Sequence, residues 1–142
     1  MYEKNTGELL EEIKHDTDME NFFRENENEF VKPLHVYLAE LLKKKKLNKT
    51  QVIKNSGLNT NYVYHIFTGK KNNPSRTKIL ALALSMNLNF DETQYLLRYA
   101  GHGALYPRNS RDAIIISAIE QKLSVNDTNA LLEELGETDL LS

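Results

Sequence analysis

Five side chains in the middle of the chain have the types and spacing for recognition chemistry: Asn59, Thr60, Asn61, Tyr64 and His65. At helical spacing they fall on the outward side of one short helix, because Leu58, Val63, Ile66 and Phe67 form its apolar side. They are short polar and aromatic groups, not the charged groups of an ordinary solubilising face. Asn offers a donor and an acceptor that match an adenine edge, and Thr bonds a base or touches a thymine methyl. A helix carrying such groups can enter the major groove of duplex DNA with its N-terminal residues at base edges. Lys49, Lys70 and Lys71 lie near where the sugar–phosphate backbone would run. Asn59 reads as the N-cap of the helix, and a helix N-terminus holds phosphate oxygens through its backbone N–H groups.

The elements that must position these groups are helical, and no strand-type alternation runs over four or more residues, so the expected fold class is all-α. Asn48 reads as the N-cap of a helix from Lys49 to Ser56, Gly57 breaks it, and the helix from Thr60 ends near Thr68-Gly69. Val52 and Ile53 before the break form one buried seam with Leu58, Val63, Ile66 and Phe67 after it. Upstream, Pro33 suits the first turn of a helix striped with Leu34, Tyr37, Leu38, Leu41 and Leu42. That helix runs into Lys43-Lys44-Lys45-Lys46, cations that complement the negative end of its dipole. Downstream, the loop from Lys70 to Pro74 leads to Ser75, the cap of a helix with Ile79, Leu80, Leu82, Ala83 and Met86. Asn89 and Glu92 stand at capping-box spacing for the next helix, which holds Phe90, Tyr95, Leu96, Leu97 and Tyr99 and closes at Gly101. After an irregular link from His102 to Arg108, Asn109 starts a helix with Ile114, Ile115, Ala118 and Ile119. Ser124 starts the last one, with Leu131, Leu132 and Leu135, stopped by Gly136. At the N-terminal end Thr6 reads as the cap of a short helix with Leu9, Leu10 and Ile13. A second follows Asp16 or Thr17 with Met19, Phe22 and Phe23, and the polar stretch from Arg24 to Glu29 reads as a loop. There is no internal repeat and no low-complexity segment.

The 142 residues suit one compact domain with an added arm or subdomain, and the composition is that of an ordinary globular protein. The net charge of −2 conceals a strong segmentation. Residues 1–31 carry three basic and ten acidic side chains, residues 32–111 fourteen basic and three acidic, and residues 112–142 one basic and seven acidic. By itself the asymmetry fits simply solvated faces better, but a basic middle is also the footprint expected for a polyanion partner, and acidic ends would weaken non-specific attraction and leave recognition to the middle. There is no cysteine, which excludes a disulfide scaffold, a zinc finger and a thiol nucleophile. No apolar run approaches the roughly 18 residues of a membrane span, and the first residues lack a signal-peptide core. The expected location is the cytoplasm, away from any membrane.

Catalysis finds little support. His15, His35, His65 and His102 are scattered over different elements, without the spacing of a metal site. Glu8, Glu11 and Glu12 belong to a short exposed helix. Gly101-His102-Gly103 lacks the strand–loop–helix setting of a phosphate loop. Arg108, Arg111 and Asp112 read as a helix start with a local ion pair. Neither enzyme activity nor a metal or other cofactor is expected.

Three segments carry a family resemblance: Leu47 through Leu58, Tyr62 through Lys71, and Asn73-Pro74-Ser75-Arg76. Together they look like a lambda-repressor-like helix–turn–helix domain, and more narrowly resemble the XRE-type regulators of bacteria and phages, over about residues 34–100. Glu92–Leu97 and Asp127–Leu132 also look like segments that accompany this domain in some bacterial regulators. The resemblance implies a five-helix DNA-binding domain, roughly Pro33–Gly101, in a sequence-specific transcriptional regulator. By position it places Lys49 and Thr60 closest to DNA at two helix starts, Asn61, Tyr64 and His65 toward bases, and Thr68 and Lys71 toward phosphate. Two residues depart from the pattern. Ile53 stands where the motif usually has a small residue, often alanine, against the crossing helix. Tyr64 is bulky for an exposed reading face, and can stack or lie along the backbone.

The expected organisation is thus an acidic helical arm (1–32), a DNA-binding domain (33–101) and a helical extension (102–142). The arm packs through Leu9, Leu10, Ile13, Phe22 and Phe23 on its own domain or a second subunit, or docks a partner protein. A homodimer is expected from the resemblance, since operators of this class are often read by two-fold dimers. The alternative function is a protein-interaction module, an antitoxin or adaptor, built on the same helical fold.

Overall fold

The structure, a computed structural model, describes residues 3–141, which are helical with no strand among them. In chain order the helices are α1 (Thr6–His15), α2 (Met19–Glu25), α3 (Leu34–Lys44), α4 (Lys49–Asn55), α5 (Thr60–Thr68), α6 (Arg76–Ser85), α7 (Phe90–Tyr99), α8 (Ser110–Glu120) and α9 (Val125–Glu134). The described residues divide into two compact units, split after Lys32.

The first unit differs from its sequence reading in detail. The cap of α1 is Asn5, not Thr6: its side-chain oxygen accepts the Glu8 N–H at 2.8 Å, and Asn is the stronger capping residue. The cap of α2 is Asp18, which accepts the Asn21 N–H, while Asp16 instead accepts the Asp18 N–H at 2.9 Å. The stretch from Arg24 to Glu29 is not a loop, since α2 runs to Glu25 and a 3₁₀ turn spans Glu27–Glu29. Polar groups here satisfy one another. The Asn26 amide donates to the Phe22 carbonyl, and the Glu29 carboxylate accepts the N–H groups of Glu3 and Lys4. Of the five apolar residues expected to pack, Phe22 is buried and Leu9 half-buried, whereas Leu10, Ile13 and Phe23 are exposed. About thirty residues have little interior to offer.

The second unit is organised around α6. Every residue from Ile79 to Leu84 is buried, so this helix is apolar all round and must be covered on all sides. Its neighbours are α7, α4 and α9. Ile115, Ala118 and Ile119 of α8, Val125 and Leu132 of α9, and Leu140 join the same core as Leu38, Val52, Val63 and Ile66. The division expected after Gly101 is therefore not a boundary between compact units. The link from His102 to Arg108 is pinned rather than loose. Gln94 exchanges two bonds with the backbone of Leu105, and a His102 ring nitrogen lies 2.8 Å from the Pro74 carbonyl. Asp112 pairs with Arg76, 36 residues away, and not with a local arginine.

Three of the connections repeat one device. α3, α6 and α8 each end in a left-handed residue that is not glycine: Lys46 (φ 56°), Asn87 (φ 55°) and Lys122 (φ 56°). The next residue is leucine each time, and its N–H returns to the helix: Leu47 to Leu42, Leu88 to Ala83, Leu123 to Ala118. These are Schellman ends, and each leucine packs against the core. The residue after it caps the following helix: Asn48, Asn89 and Ser124 accept from the N–H groups of Gln51, Glu92 and Asp127. Pro33 stands one step earlier than expected, as the N-cap of α3 rather than in its first turn.

Candidate nucleic-acid interface

The turn between α4 and α5 is built by two small residues. The buried Ser56 hydroxyl donates to the Ile53 carbonyl at 2.7 Å and accepts the Leu58 N–H at 3.2 Å. Gly57 takes φ +72°, with Leu141 and Val125 side chains against it, so the C-terminal segment braces the turn. Val52, Ile53, Val63, Ile66 and Phe67 are buried, and Leu58 is half-buried against the core. Ile53, the departure from the pattern of the resemblance, is buried at 7% exposure.

Burial of one side of α5 leaves the other side outward. Thr60, Asn61 and Thr68 are exposed, Tyr64 is 49% exposed, and His65 is half-buried. Asn59, which is exposed, caps the helix by accepting the Tyr62 N–H at 3.0 Å with its side-chain oxygen. At the other end the His65 carbonyl accepts both the Thr68 hydroxyl (3.2 Å) and the Lys71 N–H (3.0 Å). These bonds hold Lys70 and Lys71, both exposed, next to the end of α5. Lys49, exposed at the start of α4, has its ammonium 5.3 Å from the centre of the Tyr64 ring. The sequence-expected residues are thus brought together on and around one helix.

The structure adds residues that the sequence reading did not single out for the site. A groove between α4 and α5 brings Thr50 and Lys54 together with Thr60, Asn61 and Tyr64, and Ile53 and Leu58 complete its lining. On the far side of α5 the Lys78 ammonium lies 5.0 Å from the centre of the Tyr62 ring. Tyr62 and Lys78 sit on different helices, and no sequence spacing links them.

The local electrostatics are one-sided. From Leu41 to Phe90 the chain carries ten Lys and Arg residues and no Asp or Glu. Two of the ten are committed elsewhere. Lys45 bonds both oxygens of Glu92 at 2.9 and 3.0 Å, and Arg76 holds Asp112. Burial works to raise the Glu92 carboxyl, but the Asn89 N–H and Lys45 outweigh it and hold it below the usual carboxylate range. Burial likewise opposes ionisation of Asp112. The Arg76 guanidinium, the Tyr106 N–H and the nearby charge of Arg111 prevail and lower it. Among the described residues, no three His, Asp or Glu side chains are grouped to hold a metal ion, and no helix is long and apolar enough to cross a membrane.

No protein-family model, curated protein or solved structure matches this chain.

Proposed function

We propose that this chain is a sequence-specific, duplex-DNA-binding regulator of transcription, with α4 and α5 as a helix–turn–helix of the lambda-repressor-like, XRE-type kind. One observation carries the reading. The outward side of α5 presents Asn61, His65 and Thr68 in a row, within a fifty-residue stretch that has no carboxylate. Polar donors and acceptors on a helix surrounded by cations are what a base-reading element needs. Thr60 and Asn61, near the N-terminus of α5, reach base edges first. Lys49, Asn59, Thr68, Lys70 and Lys71 contact phosphate and fix the helix in register. In this reading the chain acts in the cytoplasm, catalyses no reaction, and pairs as a two-fold dimer on a palindromic site.

A second reading, a protein-interaction module, is favoured by a different observation. Leu10, Ile13, Met19, Phe23, Phe30 and Val31 are all exposed in the acidic first unit. An apolar, acidic surface of this kind suits a basic protein partner.

Selection from a random duplex pool at about 0.15 M salt separates the two. A regulator enriches one motif, and a two-fold dimer enriches a palindrome with half-sites about 10 base pairs apart. An interaction module enriches nothing, and the folded chain then shows no salt-dependent binding to duplex DNA.

A further inference from the structure

Two tyrosines of α5 hold lysines from neighbouring helices. Lys49, the first residue of α4, lies over Tyr64, and Lys78, in the first turn of α6, lies over Tyr62. An ammonium about 5 Å from a ring centre is attracted to the electron-rich face of the ring. Unlike a carboxylate, the ring leaves the positive charge uncompensated, so an ammonium seated this way still attracts a second, anionic partner. Because no Asp or Glu occurs between Leu41 and Phe90, aromatic faces take over a role that carboxylates play elsewhere.

The geometry of α5 separates the two pairs. Successive residues turn by about 100°, so Asn61, His65 and Thr68 share the line opposite Val63, Ile66 and Phe67. Tyr64 falls about 70° to one side of that line and Tyr62 about 90° to the other. A helix is roughly 10–12 Å across with its side chains, and the major groove is about 12 Å wide. Groups on the two flanks of an inserted helix therefore meet the two opposite walls of the groove, which are phosphodiester strands.

We infer that Tyr64 and Tyr62 are positioning residues that seat Lys49 and Lys78 as a two-sided phosphate clamp, one lysine for each strand bordering the groove. Tyr64 then acts through Lys49 and reads no base. The inference rests on the reading of α5 as a helix that enters duplex DNA. It adds Lys78 as a phosphate contact and reassigns Tyr64.

The test uses the full chain and its selected duplex, with affinity measured across a range of salt concentrations. Lys49→Ala and Lys78→Ala each flatten the salt slope by about one unit and leave the preferred sequence unchanged. Lys78→Gln, which keeps most of the stem, replaces Lys78→Ala if the shorter side chain unfolds the protein. Tyr64→Leu weakens binding roughly two- to five-fold, the strength of an exposed ring–cation contact, and Tyr64→Phe restores it. In the Lys49→Ala background Tyr64→Leu has no further effect. The clamp is overturned if Tyr64→Leu changes the selected base or keeps its full effect without Lys49. It is also overturned if removing the Lys78 charge leaves the slope unchanged. Failure of the underlying reading looks different: no duplex is enriched, Asn61→Ala changes nothing, and the clamp falls with it.

Discussion

The imidazole of His35, in the first turn of α3, lies so close to Gly69 that a Cβ on residue 69 would stand 2.7 Å from its Nδ1. Gly69 ends α5 at φ +88°, in the left-handed region. It is therefore required twice, for its backbone conformation and for the space its missing side chain leaves. Gly101 has a similar φ of +82° but nothing within 4 Å of its added Cβ. Gly101→Ala is expected to cost about 1 kcal/mol, the left-handed penalty alone. Gly69→Ala is expected to cost about 2–3 kcal/mol, because the ring must also move. Denaturant unfolding measures both, and His35→Ala combined with Gly69→Ala should remove the excess. Equal costs for the two glycine variants would mean that the ring yields freely.

The Schellman ends at Lys46, Asn87 and Lys122 give a prediction of opposite sign. Each of these residues holds a left-handed conformation that glycine adopts at no steric cost. Lys122 is exposed, so its side chain contributes little packing. Lys122→Gly should raise stability by about 0.5–1 kcal/mol, less the extra freedom glycine has in the unfolded chain. Thermal unfolding of the variant checks the sign, and a lower midpoint would show that the lysine stem packs on its neighbours.

What the sequence made legible was local. Asn48, Asn59, Ser75, Asn89, Asn109 and Ser124 each cap the helix expected of them, since a cap needs only an N–H three residues ahead. Helix ends at Lys46 and Lys122 carry no glycine, so the left-handed turn there has no residue-type signal. The same limit applies to the site. The outward residues of α5 follow from its own periodicity. Lys78 over Tyr62, His35 against Gly69 and Leu141 against Gly57 join residues from separate elements, and only packing brings them together. In the first unit, many polar residues masked a folded segment because their partners lay about 25 residues away, as for Lys4 and Glu29.

Arg76 and Asp112 tie α6 to α8 and supply a pH-dependent prediction. The guanidinium bonds both carboxylate oxygens, at 3.0 and 2.9 Å, and also the carbonyls of Gly103 and Ala104. The Asp112 side chain is 8% exposed, so screening by water is weak. Its carboxyl is held below the ordinary value in the folded chain. The stabilisation is therefore fully present above the unfolded pKa, near about 4, and is lost as pH falls through the lower folded value. Asp112→Asn should cost about 1.5–3 kcal/mol at pH 7. Urea unfolding at pH 7 and pH 3 should show a smaller acid-induced loss in the variant than in the unaltered chain. The same loss in both would place the acid sensitivity in other carboxylates.

Asn61 and Lys71 should respond to mutation in different ways if α5 reads DNA. Asn61 is exposed in the first turn of α5, where its amide can pair with a base edge. Asn61→Ala is expected to cost about 1–3 kcal/mol on the selected duplex and to relax preference at one base position. Lys71 is held beside the end of α5 by its own N–H, which donates to the His65 carbonyl. In the proposed reading its side chain meets phosphate, which is the same for every sequence. Lys71→Ala should weaken all duplexes alike and flatten the salt slope by about one unit, with the selected motif unchanged. Repeating the pool selection with both variants and titrating each against salt distinguishes the roles. A motif change caused by Lys71→Ala, or a uniform loss caused by Asn61→Ala, would reverse the assignment of base and phosphate contacts along this helix.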